Sequence, residues 1–240
     1  MRVLMVGGAG YVAGLVLPVL ADRHAVRILD PRPRPGWADQ VVASATDGAA
    51  LREAVNGMDA VVHCAMGRYA DPTPDGVASS FDVNVKSVHL TLAAAHDAGV
   101  PHAVHVSSLS VYRDLTERSL DESEPTDATD LYGLTKRLGE TVCRAAVDEW
   151  GMSVNVLRLA WPTPDDVWPA WGIGEPPEVR RAPDGRPIHA TAASDLARAF
   201  VAALDHRDGF QVFTISGDRS AGMWSTAKAA RDLGWESTFR

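Results

Sequence analysis

The sequence predicts an α/β fold, a Rossmann-like doubly wound parallel sheet with a small C-terminal substrate-binding portion. Three observations predict it. Short apolar runs of strand type alternate with stretches of helical spacing along the chain, the signature of βαβ units. The first run, Val3 to Val6, passes directly into Gly7, Gly8 and Gly10 and then into a helical pattern from Tyr11 to Leu20. The second run ends in an acid, Asp30, at the distance after the glycine turn where a ribose-binding carboxylate belongs.

The glycine turn organises the rest. A backbone that bends sharply and lets a ligand approach cannot carry side chains, and the helix that follows directs its free N–H groups toward a phosphate. Gly7-x-x-Gly10-x-x-Ala13 departs from the usual dinucleotide spacing, with Ala13 small enough for close packing of helix on strand. The turn cuts the N-terminal apolar run, and Pro18 interrupts it again, which is not how a secretory signal is built.

The other elements follow in order. Ala25 to Asp30 is the second strand, and Pro31 to Gly36 alternates prolines and cannot be regular structure. Val41 to Ala43 reads as a short third strand, and Asp47 to Asn56 as a helix capped by Asp47. Asp59 to Ala65 is apolar nearly throughout, as a strand covered on both faces would be. After a loop from Asp71 to Gly76, a long helix runs to about Ala98 and stops at Gly99 and Pro101. Ala103 to Ser107 is the fifth strand, Tyr132 to Lys136 opens the next helix, and a sixth strand reaches Leu157 and Arg158. Ile188 to Thr191 is a short strand, Ser194 to Leu204 a helix capped by Ser194, Gln211 to Ser216 the last strand and Trp224 to Leu233 the last helix. Residues 1–160 form the dinucleotide-binding core with the catalytic residues. Residues 161–240 supply a substrate loop and the remaining strands and helices of the same domain.

Composition excludes several classes. The net charge of −8 disfavours binding to nucleic acid, and no stretch of eighteen apolar residues is available to cross a membrane. Two cysteines, Cys64 and Cys143, are too few for a disulfide framework and lack metal-ligand spacing, so no metal and a cytoplasmic location are expected.

The chemistry is written after the fifth strand. Ser107, Ser108 and Ser110 end it, and Tyr132 and Lys136 stand four apart on one helix face. A phenol with its ordinary pKa near ~10 is a poor proton shuttle, and an ammonium nearby favours its ionised form. A serine hydroxyl opposite can hold a substrate oxygen while a hydride moves. The chain has 20 arginines and only three lysines, so a lysine at this place is a choice of a compact charge over a fork.

Together these residues resemble the short-chain dehydrogenase/reductases. VVHCA, Asn84, SSLSVY and YGLTK are similar to the extended branch, the NAD-dependent epimerase/dehydratase group, with the greatest likeness to small uronate dehydrogenase-like members. The resemblance implies Ser108, Tyr132 and Lys136 as the catalytic residues. Ser107 is then the serine just before, with Ser110 the alternative. It implies NAD, with NADP possible through Arg32 and Arg34. Gly7, Gly10, Tyr11 and Val12 would line the pyrophosphate and Asp30 the ribose. Ser44 and Ala45 would stand near the adenine, and Cys64, Ala65, Met66, Asn84 and Ser107 would complete the cofactor site with Tyr132 and Lys136. A homodimer acting on a small molecule is implied as well.

Departures from the pattern narrow the function. The dehydratases follow the catalytic hydroxyl with Asp-Glu, whereas Leu109 and Ser110 stand here. Only 104 residues follow Lys136, too few for a large lobe that grips a sugar nucleotide. The loop from Trp161 to Pro187 holds seven of the fifteen prolines and three tryptophans, Trp161, Trp168 and Trp171. Its tryptophans either face a ligand or plug the core, and Arg180 and Arg181 either meet a carboxylate or stay solvated. The substrate residues expected are Ser108, Trp161, Arg180, Arg181 and Arg68, with Arg113 at the same edge. The implied reaction is NAD-dependent hydride transfer on a small hydroxylated compound, with a sugar acid as the candidate. An epimerase or ketoreductase and a non-catalytic dinucleotide sensor are the alternatives.

Overall fold

The computed structural model describes residues 1–173, 175–220 and 222–239. The elements run β1 (Arg2–Val6), α1 (Tyr11–Ala21), β2 (Ala25–Asp30), β3 (Gln40–Val42), α2 (Gly48–Val55), β4 (Ala60–His63), α3 (Pro74–Phe81), α4 (Ser87–Asp97) and β5 (His102–Ser108). They continue with α5 (Leu131–Trp150), β6 (Ser153–Leu159), β7 (Pro162–Thr163), β8 (Arg180–Arg181), β9 (Pro187–Ile188), β10 (Thr191–Ala192), α6 (Ala193–Asp205), β11 (Phe210–Ile215) and α7 (Ala227–Leu233).

Seven strands form one sheet in the order β11-β6-β5-β4-β1-β2-β3, and each neighbouring pair is parallel. The strand order reverses between β1 and β4, and a ligand crevice opens at such a point, outside the carboxyl ends of the strands. The apolar side chains that made the sequence read as strands fill both faces. Met5, Val62 and Val104 pack against Leu17 and Phe200 on one side, whereas Leu4, Val61 and Val154 pack against Leu51, Leu92 and Cys143 on the other. A third cluster, built on Leu109, Tyr112, Ile188 and Trp224, lies over the carboxyl edge. No described helix is long and apolar enough to cross a membrane.

Several local expectations change. The long helix before Gly99 is two α-helices joined by a π-helical segment, Asp82–Lys86, which contains Asn84; single π turns of this kind often mark sites. It begins at Pro74, with Thr73 as its cap, earlier than the proline-rich loop suggested. Asp47 caps α2 through the N–H groups of Ala49 and Ala50 as expected. Ser194 does not cap α6: the N-cap is Ala192, and the Ser194 N–H donates to Asp165 Oδ1 at 2.9 Å, so a loop carboxylate does the work of the missing cap. The last helix starts at Ala227, because Trp224 is drawn into the third cluster and bridges to Leu120.

Candidate active site

At the β1–α1 turn, Gly7 has φ +90°, and a Cβ there would come within 2.5 Å of the Ala65 backbone nitrogen. No L side chain fits, so the turn lies flat against the end of β4. Gly10 is the N-cap of α1, no side chain caps the helix, and its first turn holds no acid. Its first N–H groups are therefore left for an anion. Asp30 is buried beside this turn. Its carboxylate accepts the Ala9 N–H at 3.1 Å and the Arg32 N–H at 2.9 Å. The side chains of Arg32 and Arg34 lie along the same turn and donate to the Ala9 and Gly8 carbonyls.

The serines at the end of β5 and the first turn of α5 converge on one cavity of about 290 Å³, lined by Ser107, Ser108, Ser110, Tyr132 and Lys136 together with Tyr11, Val12, Cys64 and Met66. Ser108 caps the short 3₁₀ turn Leu109–Val111 by accepting the Ser110 N–H at 3.1 Å, which fixes its orientation. Asp130 caps α5 by accepting the Gly133 N–H at 3.0 Å, so Tyr132 stands in the first turn. The Tyr132 ring packs on Tyr69, centroids 4.5 Å apart. The Lys136 ammonium donates to the Val106 carbonyl at 2.9 Å and lies 5.9 Å from the centre of the Tyr132 ring.

Burial dominates the electrostatics of this pair. It pushes the Tyr132 phenol up to about 12, against a hydrogen bond from Ser108 that pulls the other way. Desolvation is the largest influence on the phenol, ahead of the groups around it. Burial also brings Lys136 down to about 8, opposed by Cys64 and Glu140. The Cys64 thiol is pushed up to about 12 by the same desolvation, so it behaves as a small apolar group rather than a nucleophile.

Behind the serines lies a buried ionic network. Ser107 Oγ donates to Glu140 Oε1 at 2.6 Å, and Arg158 grips the same carboxylate through Nε at 3.0 Å and Nη2 at 2.7 Å. Arg158 also donates to the Tyr112 hydroxyl.

Several expected residues do not line this cavity. The Asn84 side chain accepts the Gly67 N–H and donates to Thr135 Oγ1, each at 2.9 Å, so it clamps the β4 loop to α5 and does not line the cavity. Ser44 is exposed and engaged with Thr46, and Ala45 packs into the core. Ala65 is buried against the glycine turn. Arg68 is exposed and paired with Asp71, while Arg113 donates to Thr129. Arg180 and Arg181 form a two-stranded hairpin with Pro187 and Ile188. Arg180 is held by Glu178 and stacks over Trp171, and Arg181 donates to the Gly185 carbonyl. None of these arginines lines the cavity.

Trp161 and Trp171 do line the cavity, whereas Trp168 donates to the Ala190 carbonyl and packs on Phe239. The sequence reading missed Tyr69, Leu109, Leu115, Ile173 and Trp224. Tyr69 had a usable signal, three residues beyond Met66 at the carboxyl edge. Trp224 had none, since its spacing fitted a helix. Among the described residues no cluster of His, Cys, Asp or Glu could hold a metal ion.

With this geometry in view, the comparisons are specific. The model of the "NAD dependent epimerase/dehydratase family" matches residues 3–162. An L-arabinose 1-dehydrogenase (NAD(P)(+)) of Haloferax volcanii is 31% identical over 67% of this chain and 66% of its own length. A 3-beta-hydroxysteroid dehydrogenase of Mycolicibacterium neoaurum is 34% identical over 70% of this chain and 48% of its own. The matched part thus spans under two thirds of these relatives. Among solved structures, a short-chain dehydrogenase/reductase superfamily protein of Agrobacterium tumefaciens with bound NAD superposes with TM-score 0.84 at 25% identity, covering 100% of this chain and 93% of that one. Uronate dehydrogenase of the same organism superposes with TM-score 0.77 at 22% identity, covering 99% and 84%, a likeness of fold.

Proposed function

The chain belongs to the NAD-dependent epimerase/dehydratase family, and from this premise we propose that it is an NAD-dependent oxidoreductase that moves a hydride between nicotinamide and the hydroxyl-bearing carbon of a small molecule. The observation that carries the reading is the convergence of Ser108, Tyr132 and Lys136 on one cavity beside the uncapped start of α1. NAD is a hydride acceptor in its oxidised form and a donor in its reduced form. The residues present suit it: the α1 turn for the pyrophosphate, Asp30 for the adenosine ribose, and Lys136 for the ribose on the nicotinamide side.

In the reaction, Ser108 holds the substrate oxygen, and Tyr132 exchanges a proton with that same oxygen as the hydride moves. A phenol pushed up to about 12 keeps its proton at neutral pH and gives it up to a developing alkoxide, the stronger base. In the oxidative direction it must first be ionised, and the Lys136 ammonium is the charge positioned to help. The implied homodimer is part of the proposal and is read by light scattering.

The dehydrogenases among the relatives favour net oxidation over epimerisation. Incubation with NAD and a turned-over alcohol accumulates reduced cofactor in step with ketone. Interconversion of substrate epimers without accumulation of reduced cofactor would contradict the proposal.

A further inference from the structure

The walls of the cavity carry information about its substrate that the catalytic residues do not. Of its lining, Lys136 is the single charged side chain among the described residues. The hydroxyls of Ser107, Ser108, Ser110 and Tyr132 gather where β5 meets α5, so the polar groups sit together. The wall away from them includes Leu109, Leu115, Trp161, Trp171, Ile173 and Trp224, and the tyrosines Tyr11 and Tyr69 add two more hydroxyls to the lining. Within that wall the Trp171 indole N–H is a buried donor without a hydrogen-bond partner, whereas other polar atoms of the wall are engaged. The Trp224 indole N–H donates to the Leu115 carbonyl at 2.7 Å, and the Trp161 carbonyl accepts the Thr191 N–H at 3.1 Å. Trp161 is one of two non-glycine residues with positive φ among those described, at +37°, a costly conformation held only where packing over-determines it. That packing is Trp224, edge-on at 5.3 Å, and Trp171 at 6.3 Å.

The mouth is apolar as well. Seven large hydrophobic side chains are exposed among the described residues, and four of them line this one cavity: Tyr11 and Met66 on the side expected to hold the cofactor, Tyr69 and Ile173 on the side left for the substrate. Exposed apolar surface concentrated at one place marks a binding site. A polyol needs hydrogen-bond partners along its whole length, since each hydroxyl buried without one is penalised. A carboxylate or phosphate needs a cation: Lys136 is proposed to hold the cofactor, and Arg68, Arg113, Arg180 and Arg181 lie outside the lining with partners of their own, only the buried Arg180 Nε having none.

We propose that the substrate is an uncharged secondary alcohol, or its ketone, carried on a flat apolar ring system that lies between the tryptophan walls. This rests on the hydride-transfer reading for its chemistry. The alcohol loses a hydride from its carbinol carbon to oxidised nicotinamide and a proton from its hydroxyl through Tyr132 to solvent, leaving the ketone. The pocket assignment itself rests on the walls.

The test separates the two. 1-Tetralone, D-galacturonate and L-arabinose are titrated calorimetrically into the full chain saturated with reduced cofactor, and 1-tetralol and the two sugars are assayed for oxidation with NAD. The ketone binds at least tenfold more tightly than either sugar, and the alcohol is oxidised with the higher kcat/KM. The exposed position of Ile173 allows Ile173→Asp, which weakens 1-tetralone binding at least fivefold and leaves cofactor affinity unchanged. Ketone binding no tighter than the sugars overturns the pocket assignment whatever the turnover. Tight ketone binding that Ile173→Asp weakens, with no oxidation of the alcohol, upholds the apolar pocket and counts against hydride transfer instead.

Discussion

Glu140 and Arg158 form a two-point ion pair inside the protein, Oε2 to Nη2 at 2.7 Å and Oε1 to Nε at 3.0 Å, with both side chains under a tenth exposed. It sits directly behind Ser107, whose hydroxyl shares the Glu140 carboxylate. Removing one partner of such a pair strands the other charge in the interior. Glu140→Ala is expected to cost about 3–5 kcal/mol, whereas Glu140→Leu combined with Arg158→Met recovers much of the loss. Urea unfolding midpoints of the singles and the double give the answer; singles indistinguishable from the parent would remove the network from the account.

The network also shows what a sequence can and cannot disclose. Glu140 and Arg158 are 18 residues apart on different elements, and nothing in their spacing links them. Tyr132 and Lys136 were legible because a single helix face joins them. The strands were legible because burial on both faces leaves nearly continuous apolar runs, and Asp47 was legible as a cap because its partners, Ala49 and Ala50, lie two and three residues on. Ser194 fitted the same local rule, yet Asp165, nearly thirty residues away in sequence, supplies the bond. The arginines of the hairpin were not placed for a similar reason: Arg181 meets the Gly185 carbonyl across a turn, and Arg180 meets Glu178 and the Trp171 ring.

Lys136 trades stability for function. Burial pushes its ammonium down to about 8 from the ordinary lysine value of 10.5. The unfolded chain holds that proton more strongly, so the cost of burying the charge is fully present below pH 8 and is relieved as pH rises from 8 toward 10.5. Lys136→Met is therefore expected to raise the melting temperature by several degrees at pH 7, with the gain shrinking toward pH 10, while activity disappears. A variant less stable than the parent at pH 7 would contradict this.

The same group sets a pH dependence of function. Deprotonation above about 8 removes the charge proposed to hold the cofactor ribose. The kcat/KM for reduced cofactor, which reports groups of the free enzyme, falls above that pH, and a flat profile to pH 10 would contradict the assignment.

Asp30 is the residue proposed to set the cofactor preference. Its buried carboxylate at the glycine turn repels a 2′-phosphate, while Arg32 and Arg34 lie close enough to welcome one. NAD is expected to bind more tightly than NADP, and Asp30→Ala to reverse the order by losing at least tenfold for NAD alone. Dissociation constants of both cofactors for both proteins check it.

Asp195 ties the C-terminal segment to α6. Buried, it accepts the Ser237 hydroxyl at 2.7 Å and the N–H groups of Thr238 and Phe239 at 3.1 Å. Burial alone would raise its pKa, but the hydrogen bonds from Ser237, Phe239, Arg198 and Thr238 hold it below the usual range. The stability it lends is present above pH 4 and is lost as pH falls through that lowered value. Asp195→Ala is expected to cost about 2–3 kcal/mol and to free the residues after Trp235 for amide exchange.

The central claim is that Tyr132 exchanges the proton that accompanies hydride transfer, and Tyr132→Phe tests it most directly because it removes one oxygen atom and little else. Cofactor affinity is expected to stay within about twofold of the parent. The single-turnover rate of hydride transfer is expected to fall by a factor on the order of 10² or more. A Tyr132→Phe enzyme that binds cofactor and transfers hydride at close to the parent rate would contradict the account.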